Sequence, residues 1–366
     1  MFLPVLLIRD HGWAAWLVFA IPNVLGAAAM GRVVRGAAHA RAIRIAHRPM
    51  IALFSAATIS FQAFFAAGLV LRASQNEKPW WPVSAFFVGL LVANLDLSRK
   101  HKDPWSGLVV WLGSLGLCSW AWWVLTAGGQ AALPAPAGVT WEAGQLGTIP
   151  IAGLGLVCMF GFLACPYLDA TFLRAREATG DQGGRTFTAG FLVFFLPMIL
   201  LTAGYAGLAW ELSTTAGLLV GCHIALQLAY TTQAHAEELR HGAPPIGAAW
   251  VSPVAIVCGV AVALATVRFG GADGFEPVYR VFMGLYGLWF PAYVVGCMSA
   301  SWGNPRPPSG KALMLWAGSC VAAAPFLWVA FLQQGMNWAV VGVLIAACGA
   351  AAARRVTRAG LGTVTP

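Results

Sequence analysis

Residues 148–172 read TIPIAGLGLVCMFGFLACPYLDATF, and this stretch decides the class of the protein. Its first charged side chain is Asp169, so a long apolar run precedes any charge. A helix needs about 20 mostly apolar residues to cross a bilayer. The whole chain has the same character, because 59% of its 366 residues are apolar and only 10% are charged. A soluble chain of this length could not bury so much apolar surface, so the sequence predicts an integral membrane protein.

Ten further segments resemble this one, and the predicted fold class is an all-α, polytopic membrane protein with about 11 transmembrane helices. The segments, A to K in chain order, are Gly12–Met30, Met50–Leu71, Pro82–Asp96, Trp105–Ala127, Thr148–Phe172, Phe187–Trp210, Thr215–Ala234, Ile246–Val267, Val278–Ser301, Ala312–Phe331 and Asn337–Ala353. They are predicted to form a single transmembrane domain over residues 1–366. Met1–Ile8 is apolar but too short to span, and it lacks the features of a signal peptide, so a stub is expected there.

The basic residues predict the orientation. When the loops are assigned alternately to the two sides, 17 of the 22 lysines and arginines fall on one side and 5 on the other. Cytoplasmic loops carry the excess of positive charge, so the N-terminus is predicted outside and the C-terminus inside. This distribution explains the net charge of +9 without a nucleic-acid partner. The expected location is the cell membrane (the inner one in a Gram-negative cell), with the lipid bilayer as partner.

Several kinds of chemistry lack their sequence signals. All eight cysteines fall within apolar segments and none forms a CxxC pair, so neither a disulfide framework nor a zinc or iron–sulfur site is expected. His223 is the only histidine predicted deep in the membrane, whereas a membrane haem usually needs a pair. Nucleotide-binding and hydrolase motifs are absent from the sequence. We therefore expect no cofactor, no metal, no catalytic residue and no enzymatic activity.

Segments A and F share a local pattern. Leu17–Leu25 reads LVFAIPNVL and Leu192–Leu200 reads LVFFLPMIL, with five of nine positions identical. The offset of 175 residues equals five segments, so the two copies run in opposite directions. Inverted repeats of this kind are typical of secondary transporters, although chance is the alternative explanation. The repeat pairs A–D (residues 12–127) with F–I (within residues 148–301) and leaves J and K (residues 312–353) as additional helices.

This order resembles the five-plus-five inverted repeat of the amino acid–polyamine–organocation superfamily and the sodium-coupled symporters, the LeuT-type fold. In that family the first and sixth helices are broken at mid-membrane around the substrate, and two helices often follow the repeat. The resemblance places segment E at the sixth helix and G at the eighth. It also implies that the first half-repeat lacks its first helix, through either a misplaced start codon or a partly dismantled site.

Segment E carries residues suited to such a break. Pro166 has no N–H to donate to the carbonyl four residues back, and Gly161 lowers the cost of unwinding. We therefore expect freed carbonyls at Gly161 and Phe162 near mid-membrane, where backbone groups can bind ions or polar solutes. Cys165 and Tyr167 complete the predicted substrate-binding residues of this segment. A plain proline kink is the alternative.

Asp169 follows the break and has two interpretations. An ionisable group within a membrane is costly unless it is paired or hydrated, so Asp169 is a candidate site for a cation or proton. The structural alternative is that it caps the short helical turn that follows, or faces water beside Arg174.

Segment G carries a polar stripe. His223, Gln227 and Thr231 are spaced by four residues, with Tyr230 beside them, so they lie on one helix face. Lipid disfavours such a face, which is expected to point into the bundle as part of a solute or proton pathway. Thr231 and Thr232 resemble the paired hydroxyl residues on the eighth helix of the sodium symporters, which implies a sodium site. Hydrogen bonding between helices, without any ligand, is the alternative.

These patterns predict a secondary-transporter-like protein for a small polar or zwitterionic solute, with Na⁺ or H⁺ coupling. The solute is expected to bind near mid-membrane, between backbone groups of E and side chains of G. The alternative is a non-transporting membrane scaffold or accessory subunit, in which the polar stripe only holds helices together.

Overall fold

A computed structural model describes residues 3–74, 105–127, 148–205, 215–242, 248–271, 274–333 and 335–362. Within these ranges all regular secondary structure is helical. Nine stretches there are long and apolar enough to cross a membrane. The all-α prediction is thus confirmed for the described residues, and the helices indicate a multi-pass membrane protein. Segment C, Pro82–Asp96, lies outside the described ranges.

Helical residues occur in each of the other ten predicted segments, but residues 206–210 of segment F and 246–247 of segment H lie outside the described ranges. The helix of segment G is not among the nine candidate spans. In chain order they are α1 Leu3–Val33, α2 Ala37–Ala46, α3 Arg48–Ser74, α4 Trp105–Ala127, α5 Thr148–Ala164, α6 Ala170–Ala178, α7 Gly183–Ala189, α8 Leu196–Tyr205, α9 Thr215–Gly242, α10 Ala248–Gly270, α11 Phe275–Gly284, α12 Phe290–Tyr293, α13 Gly310–Leu332 and α14 Asn337–Gly362. Tighter 3₁₀ segments occur at Cys165–Leu168, Gly180–Gln182 and Ser299–Ser301, and wider π-helical segments at Gly190–Phe195, Leu285–Trp289 and Val294–Met298. Segments E, F and I are therefore the spans with irregular helix geometry.

The first helix begins earlier than predicted. α1 starts at Leu3 and changes direction at Gly12, whose φ of 77° is a left-handed conformation that glycine adopts without strain. The side chains of Val5–Ile8 are buried. Gly12 separates two helical pieces, and the candidate membrane span begins only at Asp10. The piece before Gly12 is too short to cross a bilayer, so the stub expected at Met1–Ile8 is not contradicted.

Segment E ends earlier than predicted and is not unwound at mid-membrane. α5 runs through Gly161 without interruption, and its 17 residues are followed by the 4 residues of the 3₁₀ segment. At 1.5 and 2.0 Å per residue these stretches extend about 33 Å, which is already the thickness of the hydrocarbon core. The change of direction at Asp169 therefore comes at one end of the span. The predicted unwinding at Gly161 was wrong, because that glycine serves helix packing.

The chain forms two compact units. Unit 1 consists of Met1–Arg9, Ser55–Val139 and Pro197–Val278, and unit 2 of Asp10–Phe54, Thr140–Leu196 and Tyr279–Pro366. Each unit takes helices from both predicted half-repeats. The predicted site residues of segment E belong to unit 2 and those of segment G to unit 1, so the two groups are described separately.

Candidate functional site

In unit 2, Gly161 and Phe162 are positions of close helix packing. A Cβ added at Gly161 would lie 2.8 Å from the carbonyl oxygen of Tyr286. One added at Gly26 of α1 would overlap the carbonyl oxygen of Phe162. The Phe162 ring packs edge-to-face on Phe19, with 5.0 Å between ring centroids. Pro166 still cannot donate to the Phe162 carbonyl, as predicted, but that carbonyl faces the backbone of α1.

Cys165 and Tyr167 also contact neighbouring helices of unit 2. The Cys165 thiol donates a hydrogen bond to the carbonyl of Tyr286 at 3.1 Å. The buried Tyr167 ring packs edge-to-face on Trp302, with centroids 5.1 Å apart. Tyr286 belongs to the π-helical segment Leu285–Trp289. In a π-helix the backbone carbonyls accept from the N–H five residues on and not four as in an α-helix. A side chain of the 3₁₀ segment that follows α5 thus donates to a backbone carbonyl of the π-helical segment, and this contact was not predicted.

Asp169 is the N-cap of α6. Its carboxylate accepts hydrogen bonds from the backbone N–H groups of Thr171 and Phe172 at 2.8 and 3.3 Å, and from the Thr171 hydroxyl at 2.6 Å. The structural interpretation of Asp169 is confirmed, because these bonds satisfy donors that a helix N-terminus leaves open. A role in ion binding stays a prediction.

Sequence reasoning missed a buried His–Tyr pair in unit 2. The Nδ1 atom of His47 lies 3.1 Å from the Tyr293 hydroxyl, and both residues are buried. Burial lowers the pKa of His47 to about 4. We predicted no role for His47, which stands among arginines in the sequence. The spacing of Ala40, Ile43 and His47 was the available signal, since it places all three on one helical face.

In unit 1, the stripe on α9 faces α4. The Gln227 amide donates to the Ser114 hydroxyl at 2.7 Å, and Ser114 is fully buried. A Cβ added at Gly107 of α4 would lie 3.0 Å from the Tyr230 hydroxyl. His223 is only 1% exposed. His223 and Gln227 therefore point into protein, as expected, whereas Tyr230 is 37% exposed. The role of all three in solute binding stays a prediction.

The paired hydroxyl residues of α9 are placed differently from each other. Thr232 is buried, while Thr231 is half-buried. The sodium site implied for this pair stays a prediction.

The polar face of α9 extends beyond the predicted segment. α9 continues to Gly242, and the Nδ1 atom of His235 lies 3.1 Å from the Ser55 hydroxyl of α3. Ser55, Thr58 and Gln62 are spaced by three and four residues, so α3 has a polar face of its own. We define the polar seam of unit 1 as the residues that share these faces and their partner on α4, namely Ser55, Thr58, Gln62, Ser114, His223, Gln227 and His235.

Three buried oxygen atoms in unit 1 lack a hydrogen-bond partner among the described residues. They are Oε1 of Gln62, Oε1 of Gln233 and Oγ of Ser252. An unsatisfied buried polar atom costs about 1–3 kcal/mol, so such atoms are usually satisfied by water or a ligand. Gln62 belongs to the polar seam, and Gln233 lies on α9 two residues before His235.

Within the described ranges, no group of three or more histidine, cysteine, aspartate or glutamate side chains is placed to hold a metal ion. Comparisons with protein-family models, with curated proteins and with solved structures gave no match to this chain. Any assignment of function therefore rests on the geometry of the molecule itself.

Proposed function

We propose that this chain is a secondary-transporter-like membrane protein that carries a small polar or zwitterionic solute along the polar seam of unit 1. The observation that carries the proposal is the buried Oε1 atom of Gln62 in the seam, which has no hydrogen-bond partner among the described residues. Two more such oxygens of unit 1, on Gln233 and Ser252, lie outside the seam. In hydrocarbon such groups need protein, water or solute as partners. A hydrated route for a polar solute would supply them.

The dimensions of the seam support this route. His223 and His235 are twelve residues apart on α9, which corresponds to about 18 Å along a helix and to more than half of a hydrocarbon core of about 30 Å. Two imidazoles along the seam favour H⁺ over Na⁺ as the coupling ion, because histidine is the side chain that exchanges protons near neutral pH.

Contacts within unit 2 support the alternation of loops between two sides that this proposal assumes. At one end, Arg176 donates to the carbonyl of Val34, and the Trp302 indole donates to that of Val33. At another, Arg280 forms an ion pair with Asp10 and donates to the Phe331 carbonyl. Each set joins loops that the charge alternation assigns to the same side, while the orientation itself rests on the excess of basic residues.

The chain order of the two units supports an inverted-repeat transporter, since each unit draws on both half-repeats. Transporters of this class move one bundle of helices against another around a central site. In this proposal the solute no longer depends on an unwound segment E.

The test is an uptake screen with purified protein in liposomes, using radiolabelled polar and zwitterionic solutes. Gln227→Leu removes the amide bonded to Ser114 and is expected to lower uptake of a carried solute at least about tenfold, the effect of losing about 1.4 kcal/mol of binding. Gln182→Leu makes the same chemical change at an exposed position of unit 2 and should leave uptake unchanged. Equal uptake by wild type and Gln227→Leu would contradict the proposal.

A membrane scaffold without transport activity is the second candidate. The direct bond between Gln227 and Ser114 favours it, because a satisfied pair between helices needs no solute. In that case no solute accumulates, and Gln227→Leu affects only stability.

A further inference from the structure

One end of unit 2 carries arginines that its carboxylates do not neutralise. α2 packs against α6, and Arg44 of α2 forms an ion pair with Glu177 at 2.6 Å. Five other arginines near these helices have no carboxylate within ion-pair distance among the described residues; they are Arg32, Arg35, Arg41, Arg48 and Arg185. This end of unit 2 therefore carries positive charge that no described carboxylate neutralises.

The two faces of α2 differ. Ala40 and Ile43 are buried against protein. On the opposite face Arg41 and Ile45 are exposed, and Ile45 is 69% exposed. An exposed isoleucine one turn from an exposed arginine is unfavourable in water but favourable at a bilayer surface, where apolar groups enter the acyl boundary and arginines meet phosphates.

The position of α2 agrees with such a surface. One candidate span ends at Val33 and the next begins at Arg48, so α2 joins the ends of two spans. The positive-inside rule accounts for arginines in this loop. It does not account for the exposed Ile45 or for the geometry of Arg48.

Arg48 has a buried donor that no described residue satisfies. Its Nε atom is buried and has no hydrogen-bond partner among the described residues. A buried guanidinium N–H without an acceptor is costly. A phosphate oxygen is a strong acceptor for arginine.

The start of α2 is held in place. The backbone N–H of Arg35 donates to Nδ1 of His39, and Nε2 of His39 donates to the Trp302 carbonyl at 2.6 Å. Trp302 in turn donates to the carbonyl of Val33. These bonds fix the start of the backbone that carries Arg35 and Arg41, so this backbone does not have to be ordered when a ligand binds.

We infer that α2 and the arginines around it bind the phosphate groups of anionic phospholipid in the leaflet at this end of unit 2. The charge of the surface and its exposed isoleucine both complement a lipid headgroup at the edge of the acyl region. This inference does not depend on whether the protein transports a solute. We name Arg32, Arg35, Arg41, Ile45 and Arg48 the α2 lipid surface.

The test uses purified full-length protein in detergent, incubated with equal amounts of phosphatidylglycerol and phosphatidylcholine of identical acyl chains. Native mass spectrometry then measures which lipid stays bound. Wild type is expected to retain phosphatidylglycerol preferentially. The double variant Arg35→Gln/Arg41→Gln should weaken that retention about 30-fold, the combined effect of two arginines near an anionic lipid surface.

Two variants serve as controls. Arg268→Gln removes an exposed arginine of unit 1 and should bind phosphatidylglycerol like wild type. Arg35→Lys/Arg41→Lys keeps the charge and should stay within about threefold of wild type, because lysine also binds phosphate. Loss of the preference in a folded lysine variant would overturn the inference, as would an equal loss in Arg268→Gln or the absence of any preference in wild type.

Inorganic phosphate at millimolar concentration distinguishes a lipid from a soluble anion. If lipid binds, phosphate leaves the retained phosphatidylglycerol in place, because the acyl chains contribute as well. Displacement of the lipid by inorganic phosphate would overturn the lipid assignment in favour of a soluble anion.

Discussion

Segment E of unit 2 contains glycine and proline, and the polar seam of unit 1 contains polar side chains, so both depart from a plain apolar span. The two regions differ in how their polar groups find partners. Around α5 the backbone of one helix fills the space beside another, as Gly161 does against Tyr286. In unit 1 the oxygens of Gln62 and Gln233 are buried without a partner among the described residues. The comparison teaches that glycine and proline in a span are compatible with close packing as well as with unwinding. Open polar atoms are the better guide to a site.

The largest expected effect is a loss of stability at low pH, caused by the buried imidazole of His47 in unit 2. Burial lowers the pKa of His47 from its ordinary value of 6.5 to about 4. The unfolded chain therefore takes up the proton first as the pH falls. The contribution of neutral His47 to the free energy of unfolding is fully present above about pH 6.5. It falls by about 3 kcal/mol as the pH is lowered to 4.

Unfolding measured at pH 7 and pH 4 in wild type and His47→Gln would check this. Glutamine can still bond to Tyr293 but does not titrate, so the difference between the two proteins isolates His47 from other acid-sensitive groups. An equal loss of stability in both would show that His47 is not buried in the neutral form.

The next effect tests whether α5 is packed or unwound. Gly26→Ala would place a Cβ on the Phe162 carbonyl, and we expect it to lower the free energy of unfolding by about 2 kcal/mol through overpacking. Gly318→Ala in α13 is the matched control, since a Cβ there meets no neighbour. It should be neutral or stabilise by about 0.5–1 kcal/mol, because alanine favours helix. Comparable stability of the two variants would mean that α1 and α5 are not in close contact.

Individual residues explain what the sequence could and could not predict. Segment D was predicted with the bounds of α4, because a charge-free run of bilayer length leaves the chain little alternative. The predicted position of the break in segment E was wrong. A glycine such as Gly161 is compatible both with an unwound, hydrated backbone and with close packing on the carbonyl of Tyr286, and the sequence does not distinguish the two. Local sequence cannot identify a neighbour more than a hundred residues away.

The same reasoning applies to the polar stripe. His223 and Gln227 were predicted to point into protein because lipid excludes them wherever the fold places them. Their partner Ser114 and the continuation to His235 and Ser55 were not predicted, since pairing between helices depends on packing that periodicity does not specify.

A smaller effect would sharpen the contrast within unit 1. Gln227→Leu leaves the Ser114 hydroxyl without its donor and should lower the free energy of unfolding by about 1 kcal/mol. Gln62→Leu removes a buried oxygen that has no partner among the described residues, so the stability of this variant should equal or exceed that of wild type. Measurement of unfolding together with solute uptake distinguishes a structural group from a pathway group. If Gln62→Leu destabilised the protein more than Gln227→Leu, the Gln62 oxygen would have a stabilising partner, and this would contradict its assignment to the pathway.

The smallest effect concerns Asp169, where capping and ion binding make opposite demands on charge. Asp169→Ala removes the acceptor for Thr171 and Phe172 and should cost about 1 kcal/mol, as the loss of a helix N-cap usually does. Asp169→Asn keeps an acceptor oxygen without the charge, and asparagine is as good an N-cap residue, so its stability should stay within a few tenths of a kcal/mol of wild type. If Asp169 acts only as a cap, Asp169→Asn should have the thermal stability of wild type, which Asp169→Ala loses. Any dependence of uptake on an ion should also be the same in Asp169→Asn as in wild type. If Asn abolished a sodium or proton dependence that wild type shows, the carboxylate charge itself would be required, and Asp169 would belong to the transport machinery.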